Sequence, residues 1–143
     1  MRILALDVGS KTIGLAMTDE VMIAAHPHGV LARAGHTLDA ASITALVREH
    51  GITDVVVGIP YELSGKIGHR ARRVQELVAV LRQALPAEIA IHDQDERFTT
   101  AQAERILLEA DVSRSKRRGV IDQQAAALIL SAWLDGYHRR QQR

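Results

Sequence analysis

The stretch Ile3-Leu4-Ala5-Leu6-Asp7-Val8-Gly9-Ser10-Lys11-Thr12-Ile13-Gly14-Leu15-Ala16-Met17-Thr18-Asp19 decides the fold. Ile3 to Leu6 is an unbroken apolar run, which suits a strand buried on both faces. It ends in a carboxylate, Asp7. Gly9-Ser10-Lys11 is turn chemistry. From Thr12 the pattern alternates: Ile13, Leu15 and Met17 fall on one side, Gly14, Ala16 and Thr18 on the other. Period two predicts a second strand, paired with the first as a hairpin.

A charged carboxylate at the end of a buried strand is costly to desolvate unless it has a partner. Two roles fit Asp7. It can cap the turn by accepting backbone N–H bonds near Gly9 and Ser10. It can also be a metal ligand, because Mg²⁺ is held by one or two carboxylates together with substrate phosphates and waters.

The chain has 143 residues, enough for one domain with a proper core, and 47% apolar and 24% charged residues are ordinary for a globular protein. Aromatic residues make up 3%, which argues against a surface that stacks many bases on rings. There is no cysteine, so disulfides, thiolate zinc sites and cysteine nucleophiles are excluded. The N-terminus has no signal-peptide pattern and no apolar run approaches a bilayer span, so a cytoplasmic protein without a membrane partner is expected. Net charge is +1. Its distribution is uneven: Arg114, Lys116, Arg117 and Arg118 crowd together, and Arg139, Arg140 and Arg143 end the chain.

Beyond the hairpin, Val21 to Leu31 predicts a turn and an outer third strand. Leu38 to His50, with Leu38, Ala41, Ala45 and Leu46 near helical spacing and Gly51 just past the end, predicts an amphipathic helix. Asp54 to Pro60 reads as a buried parallel strand. Tyr61 to Gly68 reads as a loop. His69 to Leu85 reads as a helix with a Val74, Leu77, Val78 and Leu81 stripe. Glu88 to His92 predicts a fifth strand, running into Asp93-Gln94-Asp95-Glu96-Arg97. Thr99 or Thr100 can cap a helix ending near Ala110. Asp111 to Arg118 reads as a basic connector. Gly119 to about Tyr137 reads as the last helix, with Ile121, Ala125, Leu128 and Ala132 inward. The order β-β-β-α-β-α-β-α-α predicts an α/β fold in a single domain, residues 1–143, with a five-stranded mixed sheet flanked by helices.

In an open α/β sheet, ligands gather beyond the carboxyl ends of the strands. Asp7 ends the first strand, Glu96 follows the fifth, and Asp122 lies in the first turns of the last helix. These acids could meet at one edge. Carboxylates brought together need a counter-charge, and divalent cations supply it. Two metals in such a cluster could activate water and cleave a phosphodiester. Plain alternatives stand beside this. Glu96 can pair with Arg97 or cap the next helix, and Asp122 can be an ordinary acid at a helix start. The basic run before Asp122 is either a solvated face or a place where a phosphate backbone passes. Lys11, Arg70, Arg72, Arg73 and Arg97 are further phosphate candidates. His26, His28 and His69 have no assigned role.

At this point the ordered motifs resemble a known family. Asp7-Val8-Gly9-Ser10-Lys11-Thr12-Ile13-Gly14-Leu15-Ala16 resembles the opening of the YqgF/RuvX proteins, a bacterial family of RNase H-like nucleases. Val57-Gly58-Ile59-Pro60 with Gly65 resembles their glycine-proline loop. Asp95-Glu96-Arg97-Phe98-Thr99-Thr100 resembles their acid-glutamate-arginine segment. Val112-Ser113-Arg114 and Ile121-Asp122-Gln123-Gln124-Ala125 to Leu130 resemble their last connector and helix. The resemblance covers essentially the whole chain.

The resemblance implies an RNase H-like fold, with Asp7, Glu96 and Asp122 as catalytic, metal-binding carboxylates for Mg²⁺ or Mn²⁺, in a two-ion site. Lys11, Arg97, Arg114, Lys116, Arg117 and Arg118 would position phosphates. It implies 5′-end processing of precursor 16S ribosomal RNA or resolution of four-way (Holliday) DNA junctions, by a monomer or a homodimer. Two departures stand out. After the glycine-proline the family carries Asn and Asp, where this chain has Tyr61-Glu62-Leu63-Ser64. An extra acid, Asp93, precedes Glu96, which leaves Asp93, Asp95 and Glu96 competing for one role. Two other classes remain in view. The Asp-x-Gly-Ser hairpin also resembles the phosphate loop of actin-like ATPases, and a non-catalytic nucleic-acid-binding module could keep the same fold.

Overall fold

β1 (Ile3–Val8) is the middle strand of a five-stranded sheet. On one side it pairs antiparallel with β2 (Thr12–Thr18), which pairs antiparallel with β3 (Ala25–Ala32). On the other it pairs parallel with β4 (Asp54–Ile59), which pairs parallel with β5 (Ala90–Asp95). The order is β3-β2-β1-β4-β5, so the expected five-stranded mixed sheet is the one found, and the first and fifth strands run parallel. The computed structural model describes residues 1–97 and 114–142, with side chains in the second span from residue 122 onward. The helix expected from Thr99 or Thr100 to Ala110 lies outside the described residues.

Helices cover both faces of this sheet, which is why β1 reads as a continuous apolar run. Leu4, Leu6 and Val8 join Ile13, Leu15, Met17, Val55, Val57 and Ile59 in the core under α1 (His36–His50) and α2 (His69–Ala84). Ile3, Ala5, Ala16 and Val56 face the other way, against α3 (Arg114–Gln141). The alternation read from Thr12 onward is therefore a division between two cores. Among the described residues, no helix is long and apolar enough to cross a membrane.

Two helix faces differ from expectation. In α1 the buried residues are Asp39, Ala40, Ile43, Thr44 and Val47, while Leu38 is 61% exposed. The buried face thus lies nearly opposite the expected one, roughly half a turn round the helix. Asp39 sets that rotation: its carboxylate is drawn inward to Arg33 and to the Ala34 N–H. The stripe on α2 is as expected, with Ala71 added.

The last helix starts at Arg114, five residues before Gly119, so the expected connector is helical from Arg114 to Arg118. Arg and Lys are good helix formers, and their charge alone does not make a loop. Its inward residues are Ala126, Ile129, Leu130, Trp133 and Leu134, a regular i, i+3, i+4, i+7, i+8 stripe. Ala125 is buried as expected, but Leu128 and Ala132 are half-buried at the margin.

Candidate active site

Asp7 lies between two glycines. It pairs in register with Gly14 on β2, and because Leu6 pairs with Val57, Gly58 stands beside it on β4. By strand alternation all three fall on the α3 face. Neighbouring strands are about 4.8 Å apart. A glycine inside a strand often marks the close approach of another group, and both glycines do so here. A Cβ at residue 14 would run into the backbone of Asp122. A Cβ at residue 58 would stand 2.7 Å from Glu96 Oε1 and 2.6 Å from Ile129 Cδ1. The two missing side chains leave room beside Asp7, taken up at Gly58 by the Glu96 carboxylate and at Gly14 by the Asp122 backbone.

Asp7 and Glu96 are buried, each 6% exposed. The Gly9 N–H, one of the donors a turn cap would use, instead donates to the Thr12 carbonyl at 2.8 Å. Asp122 is half-buried, and its Oδ2 accepts the Thr12 hydroxyl. Asp122 meets Gly14 through its backbone, while its carboxylate turns to Thr12. Among the described residues, no group of three His, Asp or Glu side chains is arranged to hold a metal ion.

The segment Asp93-Gln94-Asp95-Glu96 is sorted by alternation along β5. Ile91 packs with the α1/α2 core, whereas the His92 ring lies 5.0 Å from that of Trp133 on α3. Asp93 and Asp95 follow Ile91 to the far face. Of the three acids, Glu96 reaches Gly58, with its N–H donating to the Ile59 carbonyl at 3.1 Å.

Residues 1–136 match the family described as "RuvX: Holliday junction resolvase". The chain belongs to the RuvX family. It is 44% identical over 137 residues to a protein of Halalkalibacterium halodurans named "Putative pre-16S rRNA nuclease", covering 94% of this chain and 96% of that one. A Moorella thermoacetica protein of the same name is also 44% identical over 137 residues, covering 94% and 95%. Among solved structures, the fowlpox virus resolvase bound to Holliday junction DNA aligns with a TM-score of 0.57 at 9% identity, covering 96% and 99% of the two chains. Thermus thermophilus RuvC bound to a Holliday junction aligns at 0.51 and 14% identity, covering 90% and 91%. These structural likenesses bear on the fold, which is the RNase H-like one expected.

In this RuvX-family chain Arg97 does not stand open to solvent. Its guanidinium donates to both oxygens of Asp95, from Nη2 at 2.8 Å and Nε at 3.0 Å to Oδ2 and from Nε at 3.2 Å to Oδ1, and lies 5.7 Å from the centre of the Tyr61 ring. The Asp95 carboxyl is held below its ordinary value, first by the Arg97 side-chain hydrogen bonds. Lys11 is exposed at the tip of the β1–β2 turn. Arg70, Arg72 and Arg73 are exposed at the start of α2. Arg114, Lys116, Arg117 and Arg118 lie in the first turns of α3, and their side chains are outside the described residues.

Sequence reasoning missed Arg33. Its Nη1 donates to the Gly9 carbonyl at 2.6 Å, its Nε donates to Asp39 Oδ2 at 2.7 Å, and its backbone N–H donates to the Lys11 carbonyl at 2.9 Å. It thus ties the turn carrying Lys11 to the start of α1. No local pattern marks such a residue. Thr12 was missed as well. Gly14 and Gly58 did carry a signal, an isolated glycine in a strand.

Proposed function

We propose that this chain is a divalent-metal-dependent nuclease that hydrolyses phosphodiesters in structured RNA, with the 5′ end of precursor 16S ribosomal RNA as its substrate. The observation that supports this best is Asp7 flanked by Gly14 and Gly58, with Asp122 and Glu96 in the cleared space. The names of the 44% identical relatives favour the ribosomal substrate.

Carboxylate oxygens are the donors that Mg²⁺ and Mn²⁺ take, so the donor set fits a hard cation. Asp7 and Glu96 would hold it, with Asp122 as the third carboxylate. Such cations supply Lewis-acid activation of the attacking water and stabilise the leaving oxygen. Thr12 orients Asp122 through its hydroxyl. Lys11, together with the basic residues at the starts of α2 and α3, would orient the phosphates, and Arg97 would hold Glu96 in place by fixing Asp95.

The family description favours a second reading, resolution of four-way DNA junctions. That reaction needs two symmetric cuts and therefore a homodimer, whereas RNA trimming can be done by a monomer.

The test is cleavage of a precursor ribosomal RNA 5′ segment and a synthetic four-way DNA junction, side by side with Mg²⁺ or Mn²⁺. The expected result is RNA cleavage that Asp7→Asn abolishes while binding remains. Cleavage by Asp7→Asn equal to that of the unaltered chain would sink the assignment. Paired symmetric nicks in the junction alone would replace the RNA reading with the DNA one.

A further inference from the structure

We propose that the loop Tyr61–Gly68 is an apolar wedge, with Leu63 and Ile67 pressing against bases that are opened next to the cleaved phosphate. This deepens the nuclease reading and rests on it. Leu63 is 83% exposed and Ile67 is 47% exposed. Side chains of this kind on a floppy loop would be unremarkable, but this loop is tied. The Gly65 N–H donates to the Glu62 carbonyl at 2.8 Å, and the Glu62 N–H donates to the Lys66 carbonyl at 3.0 Å. Gly65 takes φ 88°, which closes the tip behind Leu63. Arg97 buttresses the tip, with its Nη1 2.9 Å from where a Cβ on residue 65 would stand. The same Arg97 follows Glu96 in sequence, so the apolar tip is fixed relative to the candidate acids.

The surroundings favour a polyanion over a protein. Lys66 in the loop is exposed, as are Arg70, Arg72 and Arg73 just beyond it, and the first turn of α2 has no acid. Phosphates attract such side chains, and proteins that open base steps insert Leu, Ile or Phe between them. A second exposed apolar pair among the described residues, Val21 and Ile23, lies in the β2–β3 turn at the opposite end of β1 from Asp7.

The experiment uses a hairpin RNA with a single-stranded 5′ extension and 2-aminopurine where helix and extension meet. Binding is read in an Asp7→Asn background, and cutting is read in the unaltered chain. Leu63→Ser with Ile67→Ser changes exposed side chains, and an unshifted melting curve checks that the fold is kept. The expected result is a rise in 2-aminopurine fluorescence that the double variant loses. Its cutting of the hairpin is expected to fall about tenfold, one power of ten in affinity or barrier. Cutting of an unstructured strand should stay within about twofold. Equal cutting of the hairpin by the double variant overturns the wedge and returns the tip to a protein-facing surface. Hairpin cutting without any fluorescence change also overturns the wedge, and leaves the nuclease reading intact. Failure to bind or cut either strand overturns both.

Discussion

The backbone of Asp122 occupies the space that a side chain on Gly14 would fill, so helix α3 rests directly on the middle of β2. That contact joins two segments far apart in the chain, and the Thr12 hydroxyl bond to Asp122, across 110 residues, joins the same two. A methyl group at residue 14 meets backbone rather than a flexible side chain, so the whole helix must move. Gly14→Ala is expected to cost about 1–3 kcal/mol, the range for overpacking a filled site. The measurement is urea unfolding at fixed pH. Cleavage should fall further than stability does, because Asp122 moves with α3.

Thr12 acts on Asp122 through one hydroxyl. Thr12→Val keeps the shape and removes the donor, leaving the half-buried carboxylate without that partner. Cleavage is expected to drop about tenfold, equivalent to about 1.4 kcal/mol of positioning. Thr12→Ser should restore most of it. If Thr12→Val and Thr12→Ser behave alike, the hydroxyl does not orient Asp122.

Arg33 and Asp39 form a pair in which Asp39 is 2% exposed. Removing the cation alone strands a buried carboxylate, so Arg33→Ala is expected to cost about 3 kcal/mol. Removing both partners should cost clearly less than the sum of the single changes. Additive losses in a double-mutant cycle would show that the two residues act separately. Arg33→Ala should also loosen the Gly9 turn, seen as faster amide exchange at Arg33 and Gly9, whose N–H groups bond to Lys11 and Thr12.

His28 supplies a pH dependence. Burial, then the charges of His50 and Arg2, push its ring below the ordinary imidazole value, with Glu49 opposing. The folded chain therefore binds a proton less readily than the unfolded one. Stability is expected to fall as pH drops through about 6.5, the unfolded value, and to level off below the folded value. His28→Gln should flatten that fall. A ring proton titrating at or above 6.5 by NMR would contradict it.

Much of the architecture was legible in short windows. The apolar run from Ile3, the alternation from Thr12 and the β-branched Val55-Val56-Val57 each predicted a strand that is present. The mixed character of the sheet followed from the order of strands and helices. Period and order are local properties, and backbone sterics and burial read them directly. Asp7, Glu96 and Asp122 were nominated in the same way, as acids at strand ends and a helix start. Arg114 to Arg118, expected as part of a connector, is helical instead, because Arg and Lys are good helix formers whatever their charge.

What the sequence by itself determined, then, was the strand pattern, the mixed sheet and the edge where acids collect. Only the tertiary structure decided which acids share a face. Asp93 and Asp95 fall on one side of β5, and Glu96 turns to Gly58 on the other. Only the tertiary structure set the rotation of α1, through Asp39 and Arg33, and the seating of α3 on Gly14. Each of these depends on which residues from distant segments fill the same volume. That is a property of packing, and no periodicity within a single segment encodes it.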